Sequence, residues 1–248
     1  MILTGSLYEP LYARFGPQGW WPLPSHAGEE GFDGRGYSPA RYASRLPKID
    51  QWQVACGAIL TQNTNWKNAE RALHNLLSEG IRSPDAMLAI DRAELERLIR
   101  PSGYYRQKAE RLRSVATFFR DRIPDGTIPA RDLLLALPGV GPETADSILL
   151  YAFQHPIFVV DAYTIRLFDR VGIIRSDTVP RNPSKRYHLV QNIIQTQLVN
   201  ANESYSLSTA AYYQEFHALI VAACATHCRA RPLCEGCPLE FSCASCYY

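Results

Sequence analysis

The sequence predicts an all-α protein built as two helical lobes. Apolar residues recur at helical spacing along most of the chain, no stretch alternates long enough to make a sheet, and no internal repeat has a fixed period. With 248 residues and 46% apolar content, the chain can bury one large core or two modest ones.

The elements follow in order. Tyr8, Leu11, Tyr12, Phe15, Trp20 and Trp21 give the first 22 residues an aromatic density that predicts a packed helix and then a structured turn. Residues 25–48 carry Gly28, Gly31, Gly34, Gly36 and Pro39 with almost no periodicity, and read as a long surface loop. A run of short helices is expected from Asp50 to Phe153. Ala69, Leu73, Leu76 and Leu77 form one apolar face, and Leu88, Leu95, Leu98 and Ile99 form others. Gly103 and the segment Ile123 to Pro129 mark turns. After His155-Pro156, a short apolar run from Ile157 to Val160 leads into Asp161 and a further helix. A last long helix containing Phe216, Leu219, Ile220 and Ala223 delivers the chain to a cysteine-rich tail.

A net charge of +2 is too small to mark a nucleic-acid binder, so any electrostatic footprint must be local. Between Asp91 and Arg122 nine Lys or Arg residues face five acids. That stretch reads equally as a solvated face with i, i+4 pairs or as a phosphate contact. No apolar run approaches the roughly 20 residues of a membrane span. The first residues lack a basic region followed by an apolar core, so a cytoplasmic protein with no membrane partner is expected.

Leu137-Pro138-Gly139-Val140-Gly141-Pro142-Glu143-Thr144-Ala145-Asp146 has the form of a helix-hairpin-helix turn. Leu133, Leu134 and Leu137 make an apolar face before it, and Ala145, Ile148, Leu149 and Ala152 make another after it. Gly139 and Gly141 permit a tight turn and let a phosphate approach backbone N–H groups at the start of the second helix. Pro142 suits the first helical position. An ordinary helix turn is the plainer alternative.

Seven cysteines, five of them after residue 227, argue for metal over a disulfide framework. Cys228, Cys234, Cys237 and Cys243 are separated by five, two and five residues, and four thiolates so placed match a 4Fe-4S cluster. Cys246 leaves a second reading open, in which Cys234/Cys237 and Cys243/Cys246 make two zinc knuckles. Cys56 and Cys224 read as small core residues. Arg229 and Arg231, in the first cysteine loop, are candidates for DNA-backbone contact. Asp161, twenty positions after Gly141, reads as a helix N-cap or as a catalytic carboxylate acting beside a phosphate-binding turn.

Taken together, Leu137 to Gly141 with Thr144-Ala145, then Val159-Val160-Asp161, then the cysteine tail, resemble the endonuclease III superfamily of helix-hairpin-helix DNA glycosylases. Ile59-Leu60-Thr61-Gln62-Asn63-Thr64 resembles the segment whose glutamine fills the gap left by a flipped base. The stretch Gly103 to Ala109 resembles the segment that supplies an intercalating wedge, here Tyr104, with Lys108 beside it as a DNA contact. Asp125 to Pro129 resembles the lead-in to the hairpin. The resemblance runs from about Asp50 to Cys243.

It implies a six-helix barrel lobe at 50–154, with the helix-hairpin-helix at about 131–151. A cluster lobe at 155–248 would hold the 4Fe-4S loop 228–243, and residues 1–49 would pack with that lobe. Double-stranded DNA containing a damaged base is the implied partner of a monomeric enzyme, nucleoid-associated in a bacterium or archaeon. Glu143 stands where bifunctional members carry the lysine that forms a Schiff base, so a monofunctional glycosylase with weak or absent lyase activity is implied. The first cysteine spacing is one residue shorter than the family's usual pattern.

Phe15 to Pro22, Gln62 to Trp66 and Glu143 to Asp146 are most similar to the 3-methyladenine DNA glycosylase III branch. That likeness implies an alkylated purine as substrate and Trp20, Trp21 and Gln62 as base-pocket residues, the alternative being that the two tryptophans pack between lobes. Two further readings remain: an enzyme acting on oxidised pyrimidines or mismatched bases, or a DNA-binding homologue that has lost catalysis.

Overall fold

The structure is a computed structural model that describes residues 4–42, 45–123, 127–175, 179–199 and 201–246. Among the described residues it is helical, with no strand. The chain divides into two units. One comprises Met1–Trp20, Pro39–Arg41 and Pro156–Tyr248; the other comprises Trp21–Ser38 and Tyr42–His155. Residues 124–126, within the expected turn and hairpin lead-in, lie outside the described residues.

In the second of these units the centre is α2 (Lys48–Thr61), where every residue from Asp50 to Leu60 is buried. Ala55, Cys56, Gly57 and Ala58 keep the helix slim enough for neighbours on all sides. Against it pack α3 (Trp66–Ser78), α6 (Tyr105–Arg122) and α8 (Pro142–Ser147), the last running directly into a π-helical turn at Ile148–Ala152. The α3 face is the one the spacing predicts: Ala69, Leu73, Leu76 and Leu77 are all buried, each Leu contributing about 1.5–3 kcal/mol. Short helices α4 (Pro84–Ala89) and α5 (Arg92–Leu98) are started by Ser83 and Asp91, whose side chains accept the backbone N–H groups of Ala86 and of Ala93 and Glu94. Leu95, Leu98 and Ile99 are buried there.

The expected loop at 25–48 is a chain of tight turns. Leu23 N donates to Gly36 O and Asp33 N to Tyr37 O, and Arg35 pairs with Glu70 of α3 at 2.8 Å. Gly36 is buried with φ +84°, and a side chain there would strike the Leu23 carbonyl. The turns are tied to α2 by two of its buried polar residues. Gln53 accepts the Ser25 N–H at 3.1 Å, and Asp50 meets His26 Nε2 at 2.8 Å.

The other unit is built around α11 (Thr209–Thr226), buried from Ala210 to Ile220, with Gln214, Glu215 and His217 enclosed among its apolar residues. Helix α1 (Tyr8–Phe15) packs on it through Tyr8, whose ring stacks on Tyr212 at 4.5 Å, and α9 (Ala162–Arg170) packs on it as well. The expected apolar run becomes an extended, buried segment, Phe158–Val160, held by α10 (Pro183–Gln197): Gln191 donates to the Phe158 carbonyl and Gln195 accepts the Phe158 N–H. Among the described residues, no helix is long and apolar enough to cross a membrane.

His26 makes a pH test of the turn segment. Its two ring nitrogens lie 2.7 Å from Glu29 and 2.8 Å from Asp50, so both bonds can be donated only by the imidazolium. Burial opposes the charge, but the hydrogen bonds and attraction of the two carboxylates outweigh it and raise the pKa. A raised folded-state pKa gives stability that is complete below the unfolded value of about 6.5 and fades as pH rises through the folded value. His26→Gln should therefore lower thermal stability more at about pH 5.5 than at about pH 9. Equal losses at both values, measured by thermal unfolding, would remove the imidazolium from the account.

Candidate functional site

The hairpin forms where its sequence places it. Helix α7 (Arg131–Leu135) ends in two turn bonds, Leu137 N to Leu134 O and Val140 N to Leu137 O, and α8 opens on Gly141 as N-cap with Pro142 first. Gly139 takes φ +75°, the left-handed conformation that favours glycine. A methyl group there would also collide with the Arg111 side chain. Both hairpin glycines are exposed. Of the expected apolar face, Leu134 is buried but Leu133 is 47% exposed, because α7 is barely more than one turn and presents only one of two adjacent leucines inward. Ala145, Ile148, Leu149 and Ala152 are all buried.

Two long-range devices brace the turn. Arg131 Nε and Nη2 donate to Asp146 at 2.6 and 3.0 Å, tying the start of α7 to the end of α8 through a carboxylate with no exposed surface. The second is Gln62, whose Nε2 donates to Gly139 O and to Thr144 Oγ1, both at 2.9 Å, while its Oε1 accepts from Arg111 at 2.6 Å. Gln62, expected in the base pocket, has its Nε2 committed to the hairpin and its Oε1 to Arg111 of α6. Arg111, which sequence reasoning passed over as one of many cations, completes that brace.

Lys108 corrects a second expectation. It has no exposed surface, and its ammonium donates to the carbonyls of Leu60 at 2.8 Å and Ser102 at 2.7 Å. Burial, with Arg111 nearby, lowers its pKa to about 8. A buried ammonium spent on two backbone carbonyls is not a DNA contact. The neighbouring Tyr104 is the opposite case, 63% exposed and held at φ +46° directly after Gly103 at φ +68°. Non-glycine residues rarely take that conformation, and such residues gather at functional sites.

The basic stretch is largely paired within itself. Arg92 binds Glu96 and Glu110, Arg97 binds Glu94, Arg120 binds Asp121, and Arg113 donates to the Ile90 and Leu88 carbonyls. Arg106 remains well exposed, 3.9 Å from Glu96.

Trp20 and Trp21 fall in different units. Trp21 is half-buried, edge-on to Trp66 at 5.4 Å and tilted against Tyr151 at 5.3 Å. Gly57 leaves room for it: a Cβ at that position would lie 2.8 Å from the indole nitrogen. Trp66 and Tyr151 extend the expected aromatic pair. Glu143 is exposed in the first turn of α8.

Asp161 is the N-cap of α9, and its Oδ1 accepts the Thr164 N–H at 2.7 Å and the Thr164 hydroxyl at 2.9 Å. That leaves Oδ2, which stands 3.7 Å from His217 Nε2 on α11. Burial pushes the carboxyl up, but His217 and the Thr164 donors outweigh it and hold its pKa below the ordinary value. His217 is buried on a mostly apolar helix, and no local signal in the sequence marks it as the neighbour of a carboxylate.

At the far end of α9, Arg170 donates to Cys228 Sγ at 3.2 Å and to the carbonyls of Arg229 and Ala230. Cys228, Cys234, Cys237, Cys243 and Cys246 line one small, partly open cavity of about 20 Å³. A hydrogen bond from Cys224 and the Arg170 guanidinium lower the Cys228 pKa. Among the described residues, no group of three or more His, Cys, Asp or Glu side chains converges to hold a metal ion. Arg229 and Arg231 are exposed, although Arg229 Nε donates back to the Ala225 carbonyl.

Comparison with known proteins agrees with these features. Residues 56–195 match the family model described as HhH-GPD superfamily base excision DNA repair protein. The chain is 36% identical over 248 residues to a Methanocaldococcus jannaschii protein provisionally named a DNA repair glycosylase, covering 96% of this chain and 94% of that one. It is 32% identical over 142 residues to endonuclease III of Thermotoga maritima, 56% of this chain and 64% of that protein. The H. pylori 3-methyladenine DNA glycosylase bound to 1,N6-ethenoadenine superposes with a TM-score of 0.68 at 25% identity, over 89% of this chain and 96% of that one. A non-covalent endonuclease III–DNA complex matches in fold, with a TM-score of 0.70 at 20% identity over 100% and 98% of the two chains.

The Asp161–His217 pair yields a titration test. His217→Phe removes the ring nitrogen that faces Oδ2 at 3.7 Å but leaves the burial, so the Asp161 pKa should rise. Carboxyl carbon NMR of Asp161 across acid pH checks this, and an unmoved titration would show that Thr164 alone keeps the group charged.

Proposed function

The chain belongs to the HhH-GPD superfamily of base excision DNA repair proteins, and from that premise we propose that it is a monofunctional DNA glycosylase acting on an alkylated purine. The observation that carries this reading is a carboxylate, Asp161, kept ionised while largely buried, in a chain whose hairpin offers Glu143 in place of an amine.

Hydrolysis needs little more from the protein than position and charge. A nucleotide leaves the stack at a cost of a few kcal/mol, which damage lowers. The exposed hairpin glycines hold backbone phosphate, and Tyr104 supplies the wedge. The bond from C1′ to the base nitrogen breaks with its electron pair leaving on the base, and the oxygen of a water bonds to C1′. Asp161 stabilises the developing oxocarbenium charge and takes the water's proton. An alkylated purine leaves neutral because the electron pair cancels its positive charge. Trp21, Trp66 and Tyr151 suit such a base, since an aromatic face attracts a cation by about 0.5–2 kcal/mol. The H. pylori relative, named for 3-methyladenine, supports the same substrate class.

A lyase step has no amine to run on. The four lysines are Lys48, Lys67, Lys108 and Lys185, none of them in the hairpin, and Lys108 is buried on two carbonyls. Glu143 cannot form a Schiff base.

We read Cys228, Cys234, Cys237 and Cys243 as the holders of a 4Fe-4S cluster. Soft thiol donors line one cavity, their type suits an iron-sulfur centre, and a guanidinium beside Cys228 favours thiolate. When bound, the cluster cross-links the tail, and Arg229 and Arg231 are then displayed from a fixed loop.

Asparagine caps a helix as well as aspartate does, so Asp161→Asn should keep fold and DNA affinity while slowing base release by about 10²-fold or more. Undiminished release from a duplex containing 3-methyladenine would end the assignment of Asp161. A panel of duplexes with alkylated purines, thymine glycol, uracil and mismatches ranks the substrates. Strand cleavage should appear only after alkali, and a borohydride-trapped protein–DNA adduct would contradict the monofunctional reading.

A further inference from the structure

Most of the nine cations between Asp91 and Arg122 already have a structural task. Lys108 is buried, Arg111 holds Gln62, and Arg92, Arg97, Arg113 and Arg120 are bound to carboxylates or carbonyls. Among the described residues, Arg100, Arg106 and Arg122 stay exposed with no hydrogen-bonded carboxylate. Arg106 comes within only 3.9 Å of Glu96, which already accepts from Arg92 at 3.0 Å. Tyr105 brings two of these three together. Its half-buried ring lies under both guanidinium groups, 5.7 Å from that of Arg100 and 5.9 Å from that of Arg106. Arg100 opens the turn before Gly103, Arg106 is the second residue of α6, and the exposed, left-handed Tyr104 lies between them in the chain. A ring face attracts a guanidinium and restricts it while leaving its N–H donors open, and two such forks match phosphate oxygens.

We propose that Arg100 and Arg106, held on the Tyr105 ring, form a clamp for the DNA-backbone phosphates beside the point where Tyr104 enters the duplex. This rests on the reading of Tyr104 as the wedge. The contact that the sequence suggests for Lys108 falls to these two arginines, and Tyr105 acts as their positioning residue. Because the ring already restricts both side chains, they lose less freedom on meeting phosphate than two solvated arginines would.

Equilibrium binding of the full chain to a duplex carrying a tetrahydrofuran abasic site, measured against salt concentration, tests the clamp. Arg100→Gln and Arg106→Gln should each make the slope of log K against log salt shallower by about 0.9, and the double variant by about twice as much. Arg122→Gln removes the same charge at the far end of α6, about 25 Å away, and should leave the slope unchanged. Tyr105→Leu keeps both arginines but removes the ring, so it should weaken binding about 2–5-fold, and Tyr105→Phe should restore it. Methylphosphonate linkages then locate the contact. Neutralising a phosphate next to the abasic site should weaken the wild type and leave the double variant unchanged. A double variant with the wild-type slope would overturn the clamp and leave the glycosylase reading intact. Arg122→Gln as shallow as either single variant would also overturn it, since that is diffuse attraction. A wild type that does not bind the duplex would overturn the DNA reading and the clamp with it.

Discussion

The unit that carries Asp161 is organised by one electrostatic requirement, a carboxylate that keeps its charge with little water around it. Burying an uncompensated carboxylate costs several kcal/mol and would neutralise it. Compensation comes from a single short helix and one neighbour. As N-cap of α9, Asp161 sits at the positive end of the helix and receives two Thr164 donors on one oxygen, while His217 of α11 faces the other. The same α9 ends in Arg170, which grips Cys228, Arg229 and Ala230, and whose carbonyl holds Cys243 and Ser245. A nine-residue helix thus has the carboxylate at one end and the cysteine tail at the other. On the proposed reading, a cluster that stiffened the tail would fix the helix that carries Asp161, giving a structural cofactor a stake in catalysis without any redox step.

The hairpin unit solves a different problem, holding a glycine turn still while leaving its backbone exposed. Glycine is needed at 139 because φ is positive and Arg111 lies against it, and the same freedom would let the turn wander. Restraint comes from Gln62, which binds the Gly139 carbonyl and Thr144, and from Arg111 holding Gln62 in turn. The Arg131–Asp146 pair closes the other end, and because Asp146 is fully buried, removing either partner would strand a charge at a cost of about 3–5 kcal/mol. Asp146 is structural, and Glu143, three residues earlier, is the exposed acid.

What could be read from the sequence was local. The hairpin is written in Gly139, Gly141 and Pro142, the α3 face in four spaced apolar residues, and the start of α9 in Asp161, because each depends on neighbours within a few positions. What could not be read depends on distant partners. Gln62 meets Gly139 and Arg111 across 77 and 49 positions, and nothing near Gln62 announces either. His217 follows Gln214 and Glu215 in a helix otherwise dominated by alanines, aromatics and aliphatics, where burial is the natural inference and a carboxylate partner is invisible. The basic stretch left two readings open, and its pairs with Glu94, Glu96, Glu110 and Asp121 settle most of it in favour of internal pairing. Leu133 and Leu134 show the limit of periodicity in a five-residue helix, where one turn cannot define a face.

Lys108 shows why charge alone misleads. A lysine on a basic helix next to a wedge residue looks like a phosphate contact, since lysine is rarely buried. Here the ammonium accepts desolvation because two carbonyls receive it, one at the last turn of α2, where helix carbonyls lack internal partners, and one at Ser102, just before the left-handed pair Gly103 and Tyr104. Those two anchor points flank functional segments: Leu60 precedes Gln62, and Ser102 precedes Tyr104. One buried cation therefore sets both the glutamine that braces the hairpin and the exposed tyrosine held in a strained conformation. An arginine could not replace it without enlarging the site, and a neutral side chain of the same length would leave two carbonyls competing for fewer protons. The charge that seemed aimed at DNA serves instead to stiffen the two segments that lead to Gln62 and Tyr104.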